Sequence, residues 1–231
     1  MASVERGNEV VGQRLGDYWR VPAAAQQYDR RRFSGLKGRL YRWLEESAIQ
    51  QALSGLPPGS AVLDAACGTG RVTALLRRQG FRPTGYDISA AMIAVARERV
   101  TSLGHDDVPL VAGDVQHLPY PAGSFDAATC VGLLMHLDTD ARVGVLRQLA
   151  RVARERLVVQ YGRVQAFDRA RGVVIGWPPG RVRYPVTEAA LRMDLERSGL
   201  TERARFWVLR GFSSSVILVL TRRDPAPLAT N

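Results

Sequence analysis

The stretch Ala61-Val-Leu-Asp-Ala-Ala-Cys-Gly-Thr-Gly-Arg71 decides the fold, because it joins a short apolar run to a turn punctuated by glycines. The apolar run is too short for a helix and predicts a buried strand, whereas residues 71–80 carry apolar side chains at helical spacing and end in glycine. Gly68 and Gly70 have no side chain, so a ligand can lie against the backbone amides at the helix N-terminus. The stretch therefore predicts a strand, a ligand-binding loop and a helix.

Three ligand classes suit such a loop: a phosphate, a dinucleotide, or a nucleoside without phosphate. A Walker loop needs a lysine after its last glycine, but the only lysine of the chain is Lys37. A dinucleotide fingerprint needs a third glycine, and Thr73 stands at that position. The carboxylate of Asp64 at the strand end would repel a phosphate and attract a cationic amino acid group. These residues favour a cofactor with a positively charged end.

Residues 62–70 resemble motif I of the class I S-adenosylmethionine-dependent methyltransferases. Ala66 replaces the first glycine of the commonest form of the motif, which makes the loop slightly stiffer but still allows close approach of a ligand. The resemblance implies S-adenosyl-L-methionine as the cofactor. The predicted cofactor contacts in this loop are Asp64, Ala66, Cys67, Gly68 and Gly70.

Two further strands are predicted to end in acidic residues. Residues 82–86 lead into Asp87, which follows Asp64 by 23 positions. This is close to the spacing at which nucleotide-binding units present a carboxylate to a ribose diol. Residues 108–112 form a third strand and lead to Asp114. Ligands of open α/β sheets bind where the strands end, so we expect the three carboxylates to meet at one edge.

The family resemblance extends to these positions. It implies that Asp87 holds the ribose and that Ile88 flanks the adenine. It also implies that Asp114 accepts from the adenine amino group while the backbone amide of Val115 donates to the ring. An alternative for Asp114 is a loop residue that turns the chain. Met92 and Cys130 complete the cofactor contacts predicted from residues 62–136.

A second segment resembles one subgroup of the family. Residues 118–126, Leu-Pro-Tyr-Pro-Ala-Gly-Ser-Phe-Asp, are similar to a motif of the subgroup that includes the ubiquinone and menaquinone C-methyltransferases. We expect Asp126 to bond loop amides rather than to act in catalysis, and residues 125–131 to form a fourth strand beside the first. The implied fold is α/β, a doubly wound Rossmann-like sheet of seven strands in the order 3-2-1-4-5-7-6 with the last strand antiparallel.

The composition sets further expectations. With 231 residues, of which 46% are hydrophobic, the chain can build one domain with a substantial core. It contains no apolar run of about 20 residues that could span a bilayer and no signal-peptide pattern, so we expect a cytoplasmic protein. Cys67 and Cys130 form neither a metal-ligand pattern nor a disulfide framework, which indicates buried thiols in a reducing compartment and no metal.

The flanking regions are assigned as follows. Residues 1–35 are predicted to be a partly disordered arm or lid, residues 36–223 the methyltransferase domain, and residues 224–231 a frayed tail. Residues 163–186 are interpreted as a substrate-side insertion. Within the arm, Tyr28 and Asp29 resemble a Tyr-Asp lid over the cofactor, although Tyr28 could equally pack against the core. A helix follows, and we expect its core face to carry Leu36, Leu40, Trp43, Leu44 and Leu53.

Methyl transfer is an in-line displacement that needs alignment of the reactants more than a reactive side chain. His136 follows the fourth strand and is the candidate base for an acceptor that must lose a proton; the alternative is a capping or packed histidine. Tyr161 and Tyr18 are the predicted substrate contacts. The sequence assigns neither the acceptor atom nor an oligomeric state.

The net charge of +10 raises the question of a nucleic-acid partner. Only one of the 32 basic residues is lysine, so we interpret the charge as an arginine-rich solvated surface and expect a small-molecule acceptor. One alternative is an RNA or protein methyltransferase, suggested by arginines in residues 30–42 and 163–183. Another is a protein that binds the cofactor without turnover.

Overall fold

The computed structural model describes residues 29, 33–162, 186–208 and 215–223. Most of the predicted arm, insertion and tail therefore lies outside the described residues, as do Tyr18 and Tyr28. The helices are α1 (Gly35–Leu53), α2 (Arg71–Arg78), α3 (Ala90–Ser102), α4 (Thr139–Val152) and α5 (Glu188–Ser198). The strands are β1 (Ala61–Ala65), β2 (Arg82–Asp87), β3 (Leu110–Ala112), β4 (Phe125–Cys130), β5 (Ala153–Gly162), β6 (Leu200–Trp207) and β7 (Ser215–Arg222).

The seven strands form one sheet in the order β3-β2-β1-β4-β5-β7-β6, which confirms the predicted topology. Strands β1 to β5 pair in parallel, whereas β7 runs antiparallel to both β5 and β6. The strand order reverses beside β1, where Ala65 pairs with Tyr86 of β2 on one side and with Cys130 of β4 on the other. A crevice at such a reversal is the usual ligand site of open α/β sheets.

Strand β1 is buried on both faces, as expected for a central parallel strand. Val62 belongs to the apolar cluster under α1 and α2, and Leu63 belongs to the cluster under α4 and α5. Because consecutive side chains point to opposite faces, this short strand contributes to both halves of the core. Asp126 bonds the chain just where β1 begins, with its Oδ2 accepting from the backbone amide of Ala61 at 2.8 Å, which confirms its predicted structural role.

The expectation for the core face of α1 is wrong for three of its five residues. Leu36, Leu40 and Trp43 are exposed, by 85%, 50% and 63% of their surface. The buried face instead carries Glu45, Ala48, Ile49, Ala52 and Leu53. Glu45 can lie in the core because buried polar partners from α2 and β5 satisfy its carboxylate, and this arrangement turns the apolar N-terminal half of the helix outward.

A buried ion pair holds α5 against α4. The Nε of Arg142 lies 2.7 Å from Oδ2 of Asp194, and both side chains are almost fully buried. The remaining donors of Arg142 reach the carbonyl of Leu137 and the hydroxyl of Thr139, while the hydroxyl of Tyr161 donates to Asp194 at 3.2 Å. Every charged group of this cluster therefore has a partner, which is the condition for tolerating charges in a core.

Within the ranges given above, no helix is both long and apolar enough to cross a bilayer.

We predict that Asp194→Ala lowers the free energy of unfolding by about 3–5 kcal/mol, because it leaves the guanidinium of Arg142 buried without its carboxylate. The matched control is Asp140→Ala, which removes the exposed ion pair between Asp140 and Arg197 and should cost no more than about 1 kcal/mol. Urea unfolding followed by circular dichroism measures both. Equal losses in the two variants would contradict a structural role for the buried pair.

Candidate functional site

The glycine-rich loop turns tightly between β1 and α2. Ala66 has φ 56°, and among the described residues it is the only non-glycine with a positive φ. A left-handed conformation costs a residue with a side chain about 1–2 kcal/mol, so the alanine predicted to stiffen this loop also strains it. Gly70 has φ 72°, and a Cβ there would lie 2.8 Å from the Cβ of Ala96, so α2 and α3 approach each other only because this residue is glycine.

Asp87 connects this loop to the end of β2. Its Oδ2 accepts from the amide of Gly68 at 2.8 Å, and its Oδ1 accepts from the amide of Ser89 at 2.9 Å. Burial raises the pKa of Asp87, and the two amide bonds oppose that shift. Each carboxylate oxygen can accept a second hydrogen bond, so the group is fixed in orientation and still able to bind a pair of hydroxyls.

Asp64 lies beneath the loop and is 1% exposed. Its Oδ2 accepts from the hydroxyl of Thr73 at 2.6 Å, and its Oδ1 accepts from the hydroxyl of Thr129 at 2.8 Å. Burial raises the pKa of Asp64 to about 6, although the two threonines and Arg71 oppose the shift. The carboxylate thus joins β1, α2 and β4, and it acts on a bound cation through its field more readily than through direct contact.

The third predicted carboxylate, Asp114, is more open. Its Oδ1 accepts from the amide of Gln116 at 2.9 Å and caps the short 3-10 turn Val115–His117. The amide of the preceding Gly113 donates to the carbonyl of Asp87 at 2.8 Å, which ties the end of β3 to the end of β2. A Cβ on Gly113 would lie 1.9 Å from the hydroxyl of Tyr86, so the close approach depends on glycine.

The apolar residues predicted around the adenine differ in exposure. Ile88 is exposed directly after Asp87, and such an apolar side chain beside a fixed carboxylate suits the face of an aromatic ring. Val115 and Met92 are buried at the starts of their helices. The geometry thus brings Asp87, Ile88, Asp114 and Val115 to one edge, as the sequence predicted, while their contacts with a cofactor stay predictions.

The two cysteines are free and buried. Burial raises the pKa of both thiols, so neither is a nucleophile near neutral pH. Cys67 packs with Ile93 and Ala96 of α3, whereas Cys130 packs in the cluster that contains Leu63. Within the described part of the chain, no group of His, Cys, Asp and Glu could hold a metal ion.

The predicted catalytic and substrate residues occupy different environments. His136 ends the 3-10 turn Leu134–His136 after β4 and is partly exposed at the carboxyl edge of the sheet. Tyr161 is fully buried, and its hydroxyl is bonded to Asp194. This burial argues against the predicted substrate contact of Tyr161, because its side chain serves the core between β5 and α5. Tyr18 cannot be placed among the described residues.

Asp29, one residue after the predicted lid tyrosine, contacts the glycine-rich loop directly. Its Oδ2 accepts from the hydroxyl of Thr69 at 3.0 Å and forms an ion pair with Arg99 of α3. The sequence predicted that this dipeptide contacts the cofactor, but it assigned the contact to Tyr28, which lies outside the described residues. Thr69 was not predicted, because a threonine between two glycines carries no distinctive signal of its own.

A buried polar network joins α1 to the start of α2. Arg71 forms an ion pair with Glu45, and its guanidinium lies 4.9 Å from the ring centroid of Phe33. The Nε2 of Gln160 donates to Oε1 of Glu45 at 2.6 Å. Glu45 and Gln160 were missed because each looks like an ordinary polar residue within its element. Their contacts hold in place the start of α2, the helix that immediately follows the glycine-rich loop.

Comparison with known proteins gives a consistent result. The family described as "Methyltransferase domain" matches residues 62–156. A demethylmenaquinone methyltransferase of Thermobifida fusca is 34% identical over 122 residues, which are 52% of this chain and 50% of that protein. A ubiquinone/menaquinone biosynthesis C-methyltransferase of Cupriavidus necator is 28% identical over 180 residues, 71% of this chain and 72% of that protein.

Among solved structures, the magnesium protoporphyrin IX methyltransferase from Synechocystis with bound S-adenosylhomocysteine has a TM-score of 0.74 and 23% identity, covering 90% of this chain and 98% of that one. This likeness concerns the fold. In sequence, the chain spans only 34–55% of the length of the first curated relatives it matches. The matched residues contain the glycine-rich loop and all three carboxylates described above. Residues 62–156 therefore match the methyltransferase domain family, and the seven-stranded sheet built around them has the fold of the magnesium protoporphyrin IX methyltransferase.

Proposed function

We propose that the protein is an S-adenosylmethionine-dependent methyltransferase that acts on a small-molecule acceptor. The observation that carries the proposal is the carboxylate of Asp87, which the amides of Gly68 and Ser89 fix at the strand-order reversal with acceptor capacity to spare. A fixed carboxylate of this kind selects a ribose with two free hydroxyls. The match of residues 62–156 to the methyltransferase domain supports the same function.

The residues at the crevice fit S-adenosylmethionine, which when bound supplies a methyl group on a positively charged sulfonium. In the proposed site Asp87 accepts from the ribose hydroxyls, and exposed Ile88 lies along the adenine. Asp114 and the amide of Val115 hold the adenine edge. The backbone of residues 66–70 lines the amino acid end, and the charge of Asp64 attracts its cationic group through the loop.

The remaining proposed residues are placed around this core. Met92 and Cys130 are buried, so any contact they make comes from their backbone or from the edge of their side chain. Tyr28 is proposed as the lid, since its neighbour Asp29 contacts the cofactor loop. His136 is proposed as the base for acceptors that must lose a proton, because it is partly exposed in the turn after β4, at the carboxyl edge of the sheet.

The acceptor is proposed to be a small organic molecule. The names of the relatives cited above refer to menaquinone, ubiquinone and magnesium protoporphyrin IX, none of which is an RNA or a protein. These names favour a small-molecule acceptor over an RNA or protein acceptor.

We further propose that the methyltransferase domain spans residues 36–223, with residues 1–35 as an arm and residues 163–186 as a substrate-side insertion. We also propose a cytoplasmic location, in keeping with the two free thiols.

We predict that Asp87→Asn weakens binding of both S-adenosylmethionine and S-adenosylhomocysteine at least tenfold, about 1.4 kcal/mol. The amide nitrogen of asparagine would face one of the two backbone donors, and one acceptor for the ribose would be lost. Isothermal titration on protein stripped of cofactor measures the change. Ile88→Ser should also weaken binding, and because this side chain is exposed the substitution leaves the fold intact.

The matched control is Asp107→Asn, which changes an exposed carboxylate paired with Arg77 at the opposite edge of the sheet. It should leave the affinity unchanged. If stripped wild-type protein binds neither ligand, the methyltransferase proposal is wrong. If it binds both but transfers no labelled methyl group to any acceptor in a broad screen, the alternative of a cofactor-binding protein without turnover replaces it.

A second prediction concerns Asp64. Its pKa is raised to about 6 in the folded protein from a reference value of 3.8, so the folded state holds this proton more tightly than the unfolded chain does. The stabilisation from this proton is complete below about pH 4 and is lost as the pH rises through about 6. At neutral pH the ionised Asp64 therefore lowers the free energy of unfolding by roughly 3 kcal/mol relative to the protonated form.

Asp64→Asn should therefore raise the free energy of unfolding at pH 7.5, and its advantage over wild type should shrink towards pH 4. The same variant should bind S-adenosylmethionine more weakly, because the neutral amide no longer attracts a cation. Denaturant unfolding across this pH range and titration at pH 7.5 measure the two effects. A variant that is less stable than wild type at pH 7.5 would show that the ionised carboxylate is a net stabilising group.

A further inference from the structure

The first two turns of α1 present an apolar stripe to solvent. Leu36, Leu40 and Trp43 are exposed by 85%, 50% and 63%. Their spacing of four and three residues places them in one line along the helix. We call these three residues the Leu36 stripe. Large apolar side chains scattered singly on a surface need no explanation, but an aligned group is the mark of an interaction site.

The stripe faces directly away from the core. Glu45, Ala48 and Ile49 occupy the opposite face of α1 and are buried against the domain. Further along the helix the outward face becomes polar, with Ser47, Gln50 and Gln51. The apolar outward face is therefore confined to the N-terminal half of α1. It is a local feature and does not reflect the composition of the whole helix.

Positive charge surrounds the stripe. Lys37 and Arg39 are exposed beside it, and neither forms an ion pair with any of the described residues. Residues 30–44 contain six cationic residues and no acidic one. Among Lys37, Arg39 and Arg42, only Arg42 pairs with a carboxylate of a described residue, that of Glu46 one turn later. An apolar line flanked by exposed cations fits an anionic partner with an apolar interior.

The stripe lies at the edge of the sheet where the proposed site opens. The hydroxyl of Tyr41 donates to Oγ of Ser215 at 2.8 Å, and Ser215 pairs with Gly162 at the carboxyl end of β5. Phe33, just before α1, packs on Arg71 at the start of the helix that follows the cofactor loop. A partner on the stripe would therefore sit beside the crevice rather than behind the domain.

We propose that the Leu36 stripe docks the protein onto an anionic phospholipid surface. Helices that lie in the membrane interface combine leucine and tryptophan on one side with lysine and arginine around them. Each cation near an anionic leaflet adds to the attraction. The apolar side chains enter the boundary between headgroups and acyl chains, while Lys37 and Arg39 contact the lipid phosphates. The proposal stands independently of methyl transfer, since it concerns a surface outside the crevice.

Two other occupants fit the charges less well. In a symmetric dimer the same patch faces itself, so the cations of both copies would be opposed. A stable dimer also buries about 800 Å² on each partner, more than three side chains on two turns can supply. The preceding residues 1–28 carry three acidic and three basic residues, so they offer no surplus of negative charge.

The test measures binding of the full-length protein to vesicles by flotation, without cofactor or acceptor. Vesicles of equal parts phosphatidylcholine and phosphatidylglycerol should bind the protein at about 0.1 M salt, and vesicles of phosphatidylcholine alone should bind it at least tenfold more weakly. Leu36→Ser combined with Leu40→Ser should lower the partition coefficient on the mixed vesicles at least tenfold, and so should Lys37→Glu combined with Arg39→Glu. The control Met193→Ser changes an apolar side chain on α5 that is 53% exposed, and it should bind like wild type.

Three results would overturn the proposal. The first is absence of binding to the mixed vesicles, or equal binding to both kinds of vesicle. The second is a dimer in sedimentation experiments that the double serine variant dissociates, since the stripe would then hold a second copy. The third is a fall in melting temperature of the serine variant as large as that of a core substitution, since the stripe would then be covered by the chain itself.

Discussion

The carboxylate of Asp87 is the constraint on which the candidate site depends. It accepts from one amide of the β1 loop and from one amide at the start of α3, so it holds two separate βα connections in one arrangement. Helix starts and tight loops leave backbone donors that the helix itself cannot satisfy, and Asp87 accepts from one donor of each kind. A single side chain therefore satisfies the backbone and positions the ligand edge at the same time.

Two layers of polar contacts support this edge from below. Asp64 joins β1 to α2 and β4 through two threonine hydroxyls, and Glu45 joins α1 to Arg71 and Gln160. Both groups are buried, and both have partners for their charge or hydrogen-bonding capacity. These buried contacts thus support the glycine-rich loop from the side of the core, whereas Asp29 contacts the same loop from the arm. The face of the loop that borders the crevice is therefore the one left open to a ligand.

Much of the fold could be predicted from the sequence. The alternation of short apolar runs with helical patterns, and an acidic residue after each of three strands, predicted an α/β sheet and the edge where Asp64, Asp87 and Asp114 gather. The order of the seven strands followed from the resemblance to the methyltransferases. These signals are local, and parallel sheets leave few alternatives once the βα units are recognised. The positions that escaped prediction depend on contacts between distant segments.

The outward face of α1 is the clearest example, because the apolar pattern of Leu36, Leu40 and Trp43 predicts a core face and the buried partners of Glu45 decide otherwise. Tyr161 was placed at the substrate for its position at the end of β5, yet Asp194, 33 residues later, bonds its hydroxyl inside the core. No local pattern identifies such partners, since each pair forms only after the chain has folded.

The left-handed conformation of Ala66 links the affinity of the crevice for a ligand to the free energy of folding. A methyl group disfavours positive φ, so the loop keeps this shape only because the contacts around it outweigh the preference of Ala66. That opposing free energy is overcome when the chain folds and not when a ligand associates. Part of the strength with which the crevice holds a ligand is in this way set in advance by the stability of the empty protein.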